Sequence, residues 1–154
     1  MKTVRDIMTP TVTTVSPDTT VEELGRLFLE KGISGAPVIG PDGGLFGIVT
    51  ENDLIRRNRR FHIPTVVRLF DALIPLEKSS AVEEEIRQMS ASKVSEICTR
   101  KVITVGPDAS LQDVATIMYE KGVHLIPVVD SGSLIGIIGK LDLIKGTMGE
   151  GKKQ

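Results

Sequence analysis

The chain has 154 residues, a formal net charge of −1 at pH 7, no tryptophan, one tyrosine and one cysteine. The balanced charge argues against a strong field for nucleic acid or anionic lipid, and the few aromatic side chains argue against a base-stacking platform. A lone cysteine forms no internal disulfide, and the sequence shows neither a signal-peptide-like opening nor ~20 consecutive apolar residues. We therefore expect a cytoplasmic protein without membrane association.

The chain contains two copies of one sequence unit. Residues 4–39 align with residues 94–129 at an offset of 90 without a gap. The stretch GIVTENDLI, from Gly47, aligns with GIIGKLDLI, from Gly136, at an offset of 89. Such a repeat predicts a pair related by a pseudo-twofold axis, with one cleft seen twice where the copies meet. Each copy has roughly 50 residues, too few for a secure core alone, so we expect the copies to pack together.

Each copy begins with a predicted strand and a predicted helix. The strands fall near residues 12–15 and 102–105. The helices start after Thr20 and Ser110, each of which has an acidic residue three positions on, the spacing of a capping box. They end at Gly32 and Gly122, which suit a left-handed C-terminal cap.

Two apolar strands and a second helix complete each copy. The strands are predicted at residues 36–39 and 45–49 in copy one, and at residues 126–129 and 134–138 in copy two. The second helices start near Thr50 and Gly139. The order strand, helix, strand, strand, helix indicates the α/β (α+β) class.

Residues 58–93 have no counterpart, so we divide the chain into residues 1–57, 58–93 and 94–154. VVRLFDAL, residues 66–73, predicts a short amphipathic helix, and AVEEEIRQMSA, residues 81–91, predicts another. The apolar residues of the first favour an ordered insertion over a flexible linker. The run of arginines at residues 56–60 is typical of a solvated helix end.

Four motifs occur in the same order in both copies: IMT or ICT (residues 7–9 and 97–99), T-V-x-P-D, K-G-[IV]-x-x-x-P-V and G-I-[VI]-x-x-x-D-L. In these motifs the chain resembles the cystathionine-β-synthase (CBS) domain. The resemblance implies a stand-alone tandem pair, or Bateman module, of two β-α-β-β-α repeats about a pseudo-twofold axis. It further implies a homodimer that binds an adenosine-containing ligand (AMP, ADP, ATP or S-adenosylmethionine) and regulates a partner protein, which the sequence does not identify.

The first candidate site residues are Thr50 and Asp53. In the family, the aspartate binds ribose and the hydroxyl residue binds ribose or phosphate. A carboxylate accepts both ribose hydroxyls, and a strand-to-helix junction offers backbone N–H groups to an anion. The same T-x-x-D spacing is also a capping box, so both roles stay open. Copy two keeps Asp142 but has Gly139 in place of the hydroxyl residue, so the Asp53 site has the fuller signature.

The resemblance assigns further residues to the ligand. The backbone before the strand proline reads adenine, which gives Gly32, Ile33, Ser34, Gly122, Val123 and His124. In some relatives a histidine at the position of His124 contacts phosphate, although a lone histidine here is equally consistent with an ordinary, partly buried residue. An adenine wall would comprise Thr9, Thr99, Val12 and Val102, with core packing as the alternative for both valines.

The sequence leaves three functions open. The first is a regulatory module with an adenosine ligand, the second a dimerising scaffold without a nucleotide, and the third a nucleic-acid-binding protein that uses the arginine run. An enzyme is not expected, because the sequence shows no nucleophile–base pair, phosphate-binding glycine loop or metal-ligand spacing among His62, Cys98 and His124. The expected ligand is a regulator, and no cofactor is required.

Overall fold

The computed structural model describes residues 1–57, 66–69, 72–75 and 92–149. Copy one contains α1 (Val4–Ile7), α2 (Val21–Lys31), β1 (Gly35–Ile39), β2 (Leu45–Thr50) and α3 (Glu51–Arg57). The segment between the copies contains β3 (Val66–Leu69) and β4 (Ala72–Pro75). Copy two contains α4 (Val94–Ile97), α5 (Leu111–Lys121), β5 (Leu125–Asp130), β6 (Ser133–Gly139) and α6 (Lys140–Thr147).

The predicted boundaries of α2 and α5 are confirmed by their caps. The Thr20 hydroxyl accepts from the Glu23 N–H at 3.1 Å, and the Glu23 carboxylate accepts from the Thr20 N–H at 3.0 Å. In copy two, the Ser110 hydroxyl accepts from the Asp113 N–H at 3.0 Å. Gly32 and Gly122 end the helices in the left-handed region, with φ of 65° and 66°. Glycine has no Cβ to clash there, so the chain turns at these positions into the following strand.

An antiparallel hairpin forms the sheet of each copy, β1 with β2 and β5 with β6. The predicted first strands, near residues 12–15 and 102–105, are reduced to one bridging residue each. Val15 pairs in parallel with Val38 of β1, and Val105 pairs with Val128 of β5. Several residues that precede these bridges face the clefts described below instead of a neighbouring strand.

The two copies exchange their opening helices. Val4 of α1 is buried in the core of copy two, against Val114 and Ile126, and Val94 of α4 is buried in the core of copy one. In the same exchange the Arg5 N–H donates to the Pro107 carbonyl at 2.9 Å, and the Ser95 N–H donates to the Pro17 carbonyl at 3.0 Å. The proline of each V-x-P-D motif therefore anchors the other copy. The sequence boundaries at residues 57 and 94 stay a prediction.

The exchanged segments also extend the opposite sheet. Thr9 pairs with Ile137 of β6, and Thr99 pairs with Ile48 of β2. Two backbone hydrogen bonds of 2.9 Å join Thr99 and Ile48. A Cβ on Gly47 would lie only 2.6 Å from the Thr99 carbonyl oxygen. The absent side chain at residue 47 therefore lets copy two approach the sheet of copy one.

The predicted amphipathic helix over residues 66–73 is wrong. β3 and β4 form an antiparallel hairpin, in which Val66 pairs with Pro75 and Leu69 pairs with Ala72. Adjacent β-branched Val66 and Val67 favour a strand. The predicted helix over residues 81–91 lies outside the described residues, as does most of the insertion whose order was predicted.

Candidate functional site

A cleft of about 510 Å³, the Asp53 cleft, lies where the two copies meet. Copy one supplies Thr50 and Asp53 from the junction between β2 and α3. Copy two supplies Thr99 and the loop of residues 122–124 that precedes β5. The pseudo-twofold thus brings together candidate residues that are far apart in the sequence.

The matching Asp142 cleft is smaller, about 230 Å³. Copy two supplies Gly139 and Asp142 from the junction between β6 and α6. Copy one supplies Thr9, Val12 and the loop of residues 32–34. Ser34 lines both clefts. In each cleft, the aspartate of one copy therefore faces the opening segment and the pre-strand loop of the other copy.

The Asp53 carboxylate is held at both oxygens. Its side chain is 6% exposed, its Oδ2 accepts from the Thr50 N–H at 2.8 Å, and its Oδ1 accepts from Nη1 of Arg56 at 3.0 Å. The Thr50 hydroxyl lies 3.5 Å from the same Oδ2. Each carboxylate oxygen has two lone pairs, so Oδ1 keeps one for a ligand, and Oδ2 keeps one when the Thr50 hydroxyl turns its hydrogen away. The capping role and the ligand role are thus compatible at this residue.

Two of the first backbone N–H groups at this junction are used within the protein. The Thr50 N–H donates to Asp53, and the Glu51 N–H donates to the Ser34 carbonyl at 2.9 Å. The sequence predicted that N–H groups of this junction would meet an anion. For these two groups the structure shows protein partners instead.

Three cationic side chains line the Asp53 cleft: Arg56, Lys101 and Lys140. The sequence predicted a solvated helix end at Arg56 and gave Lys101 no role in a site. The signal for Lys101 was its spacing, because Thr99, Lys101 and Ile103 all line the cleft and alternate along the chain. Val102, predicted for the adenine wall, lies between them and is absent from the cleft lining. Val12 does line its cleft.

The Asp142 carboxylate has different partners. Its Oδ2 accepts from the Gly139 N–H at 2.9 Å, as in copy one, but its Oδ1 accepts from the Thr9 hydroxyl at 3.4 Å. The Oδ1 atom of Asp142 thus accepts from a neutral hydroxyl group, whereas the Oδ1 atom of Asp53 accepts from a guanidinium. Gly139 also lacks the side-chain oxygen of Thr50, so this cleft offers fewer polar groups to a ligand.

The loops that precede β1 and β5, residues 32–34 and 122–124, line the clefts, and one of them carries His124. Gly122, Val123 and His124 line the Asp53 cleft, and the copy-one loop lines the Asp142 cleft. His124 is exposed, so it is not the partly buried histidine that was the alternative interpretation. Its imidazole is therefore accessible to a ligand in the Asp53 cleft.

Cys98 lies beside the Asp53 cleft, in a small cavity of about 160 Å³ that Asp53 and Arg56 also line. Burial raises the pKa of the Cys98 thiol above its ordinary value, the Asp53 carboxylate raises it further, and Arg100 opposes the rise. The thiol therefore stays protonated at neutral pH, and the thiolate is the reactive form of cysteine. The structure thus offers no activated nucleophile at Cys98.

The described ranges contain no cluster of three or more His, Cys, Asp or Glu side chains that could hold a metal ion. Within the same part of the chain, no helix has the length and apolar character needed to span a membrane.

The sequence profile of the CBS domain matches residues 4–60 and again residues 94–149. The chain belongs to the CBS domain family. A relative, the uncharacterized protein MJ1426 of Methanocaldococcus jannaschii, is 34% identical over 152 residues, which cover 92% of this chain and 89% of the relative. The predicted CBS membership is thereby confirmed.

The fold of the CBS pair also matches solved structures. CBSX2 of Arabidopsis thaliana, whose crystal structure is a complex with AMP, superposes with a TM-score of 0.73 at 26% identity, covering 96% of this chain and 97% of that one. The predicted mixed fold of two CBS repeats is confirmed. A homoserine O-acetyltransferase of Methanohalophilus mahii is 30% identical over 152 residues, but the CBS pair spans only 25% of that enzyme.

Proposed function

We propose that this CBS pair is a regulatory module that binds adenosine-containing ligands in the Asp53 cleft and acts on a partner protein. The observation that carries the proposal is the buried Asp53 carboxylate, fixed by Thr50 and Arg56 at the edge of a cleft of about 510 Å³. That volume is within the range of about 300–1,000 Å³ typical of small-molecule sites. A fixed carboxylate with spare lone pairs suits the paired hydroxyls of a ribose.

The composition of the cleft supports a regulatory role. Copy one supplies the carboxylate, and copy two supplies the loop of residues 122–124, so a ligand bound here contacts both copies. A ligand shifts an equilibrium only as far as its affinities for the two states differ. A ligand that contacts both copies has different affinities for two states whenever the relative position of the copies differs between those states. The complex of the similar protein CBSX2 with AMP supports adenosine as the ligand class.

The proposal predicts that an adenosine ligand raises the melting temperature of the full chain. A ligand at 100 times its Kd stabilises the folded state by about 2.7 kcal/mol, which for a chain of this size corresponds to a rise of roughly 5–10 °C. The panel is AMP, ADP, ATP and S-adenosylmethionine, with CMP as the control that keeps ribose and phosphate but lacks adenine. An unchanged melting temperature with all four adenosine ligands would favour the scaffold.

A second function, dimerisation, is favoured by exposed apolar side chains at matching repeat positions. Leu29 on α2 matches Tyr119 on α5, and Ile55 on α3 matches Ile144 on α6; all four are exposed. Scattered apolar residues are common on surfaces, but the same positions in both copies indicate one repeated apolar surface. We propose that a second copy of the chain covers it, in a homodimer that is compatible with ligand binding.

Light scattering at micromolar concentration is expected to show a dimer. Leu29→Glu combined with Tyr119→Glu is expected to give a monomer, because the charges would be buried without partners. Thr14→Glu combined with Thr104→Glu is the matched control, since both threonines are exposed and occupy equivalent loop positions. A wild-type chain that stays monomeric at every concentration would contradict the dimer.

A further inference from the structure

The two clefts differ in charge. Arg56, Lys101 and Lys140 line the Asp53 cleft together with the carboxylates of Glu51 and Asp53, which leaves a formal charge of +1 with His124 neutral. Among the described residues that line the other cleft, Asp142 is the sole charged side chain. Its formal charge is therefore −1.

This difference has two sources. Lys101 of copy two aligns with Thr11 of copy one, and each lines the cleft that its segment faces. Arg56 lines the Asp53 cleft, whereas its aligned residue Lys145 does not line the Asp142 cleft. Glu51 and Lys140 occupy equivalent positions and both line the Asp53 cleft, so their formal charges cancel there.

The cations of the Asp53 cleft have donors to spare. Lys101 and Lys140 are exposed, and neither has a hydrogen bond or ion pair with another residue in the described part of the chain. Arg56 uses Nη1 on Asp53, and a guanidinium has five N–H donors. A ligand anion would therefore gain partners without breaking the pair between Arg56 and Asp53.

We propose that the Asp53 cleft selects adenosine ligands that carry phosphate groups and that the Asp142 cleft selects adenosine ligands without them. This inference rests on the proposed function. A terminal phosphate carries a charge of about −1.5 to −2 at pH 7 and forms strong charge-assisted hydrogen bonds with Lys and Arg. In the Asp142 cleft the same phosphate would meet a carboxylate and no cation among the described lining residues. The smaller volume of that cleft, about 230 Å³, also leaves less room for a chain of phosphate groups.

Calorimetric titrations of the full chain with ATP and with adenosine test the selection. We expect the wild-type chain to bind ATP about tenfold or more tightly than adenosine in the Asp53 cleft, with an ATP affinity that falls as salt rises. In Lys101→Thr combined with Lys140→Ala, this preference for ATP over adenosine is expected to shrink to about twofold. Lys31→Ala combined with Lys121→Ala removes two exposed lysines outside both clefts and is the control.

The number of ligand molecules bound per chain in the same titrations shows whether the Asp142 cleft is occupied. With ATP saturating, adenosine is expected to bind one further site per chain, which Asp142→Ala removes. Two ATP molecules per chain, or an ATP preference that survives the double lysine variant, would overturn the inference. Adenosine binding with no preference for ATP would also overturn it and leave the proposed function standing. Absence of binding by both ligands would remove the proposed function itself, and the inference with it.

Discussion

Asp53→Ala is expected to weaken AMP binding about tenfold or more, and Asp142→Ala is expected to weaken it less. Asp53 has the Thr50 hydroxyl group and Arg56 beside it, whereas Asp142 has Gly139 in place of the threonine and no cation among the described residues that line its cleft. Loss of a charge-assisted contact to ribose costs roughly 1.5–3 kcal/mol. Isothermal titration calorimetry of the two variants measures the difference.

Asp53→Ala affects the stability of the fold as well as ligand binding, so the two effects have to be measured separately. Asp53→Ala also leaves the Thr50 N–H without its cap and the Arg56 guanidinium without its ion pair, so the free energy of unfolding should fall by about 1–2 kcal/mol. Asp53→Asn keeps the side-chain shape and serves as the matched variant. Equal losses of affinity at the two aspartates would refute the asymmetry, and no loss at either would favour a scaffold without a nucleotide.

Gly47→Ala is expected to destabilise the chain by about 1–3 kcal/mol, the usual cost of overpacking. The new Cβ would lie 2.6 Å from the Thr99 carbonyl oxygen and 3.0 Å from Sγ of Cys98. The carbonyl is backbone and is joined to Ile48 by two hydrogen bonds, so it cannot move aside without breaking the contact between the copies. Denaturant unfolding measures the loss, and AMP binding should weaken as well because Thr99 lines the Asp53 cleft.

Two other glycines provide matched comparisons. A Cβ on Gly136, the counterpart of Gly47, would lie 2.5 Å from Sδ of Met8, which belongs to a flexible side chain, so Gly136→Ala should cost less. A Cβ on Gly25, within α2, would have no atom within 4 Å, and Gly25→Ala should stabilise the chain by up to about 1 kcal/mol. If Gly47→Ala proved as stable as Gly25→Ala, the close approach at Thr99 would not matter for the fold.

The sequence predicted those parts of the fold that depend on neighbours in the chain. Thr20 with Glu23 and the glycines at residues 32 and 122 act within one turn, so their spacing was sufficient. The exchange of α1 and α4 was not predicted, because it depends on contacts such as that of Val4 with the core of copy two. The spacing of apolar residues over residues 66–73 is compatible with a helix as well as with strands. The adjacent β-branched residues Val66 and Val67 favour the strands that the structure shows.

The sequence predicted one cleft seen twice, but not which residues of the two copies meet in each cleft. Asp53 and the loop of residues 122–124 are candidates in separate copies, and only the packing of the copies shows that they meet. Arg56 was assigned to a solvated helix end, because a cation in the last turn is usual there. Its ion pair with Asp53 has the i, i+3 spacing of neighbours on a helix, whereas the burial of that carboxylate is not visible in the sequence.

A crystal structure of the chain grown with saturating AMP tests the central claim most directly. We expect AMP in the Asp53 cleft, with its ribose hydroxyls hydrogen-bonded to the Asp53 carboxylate. Its adenine should lie against the backbone of residues 122–124, and its phosphate should lie near Lys101 and Lys140. A structure in which AMP at saturating concentration leaves the Asp53 cleft empty would contradict it.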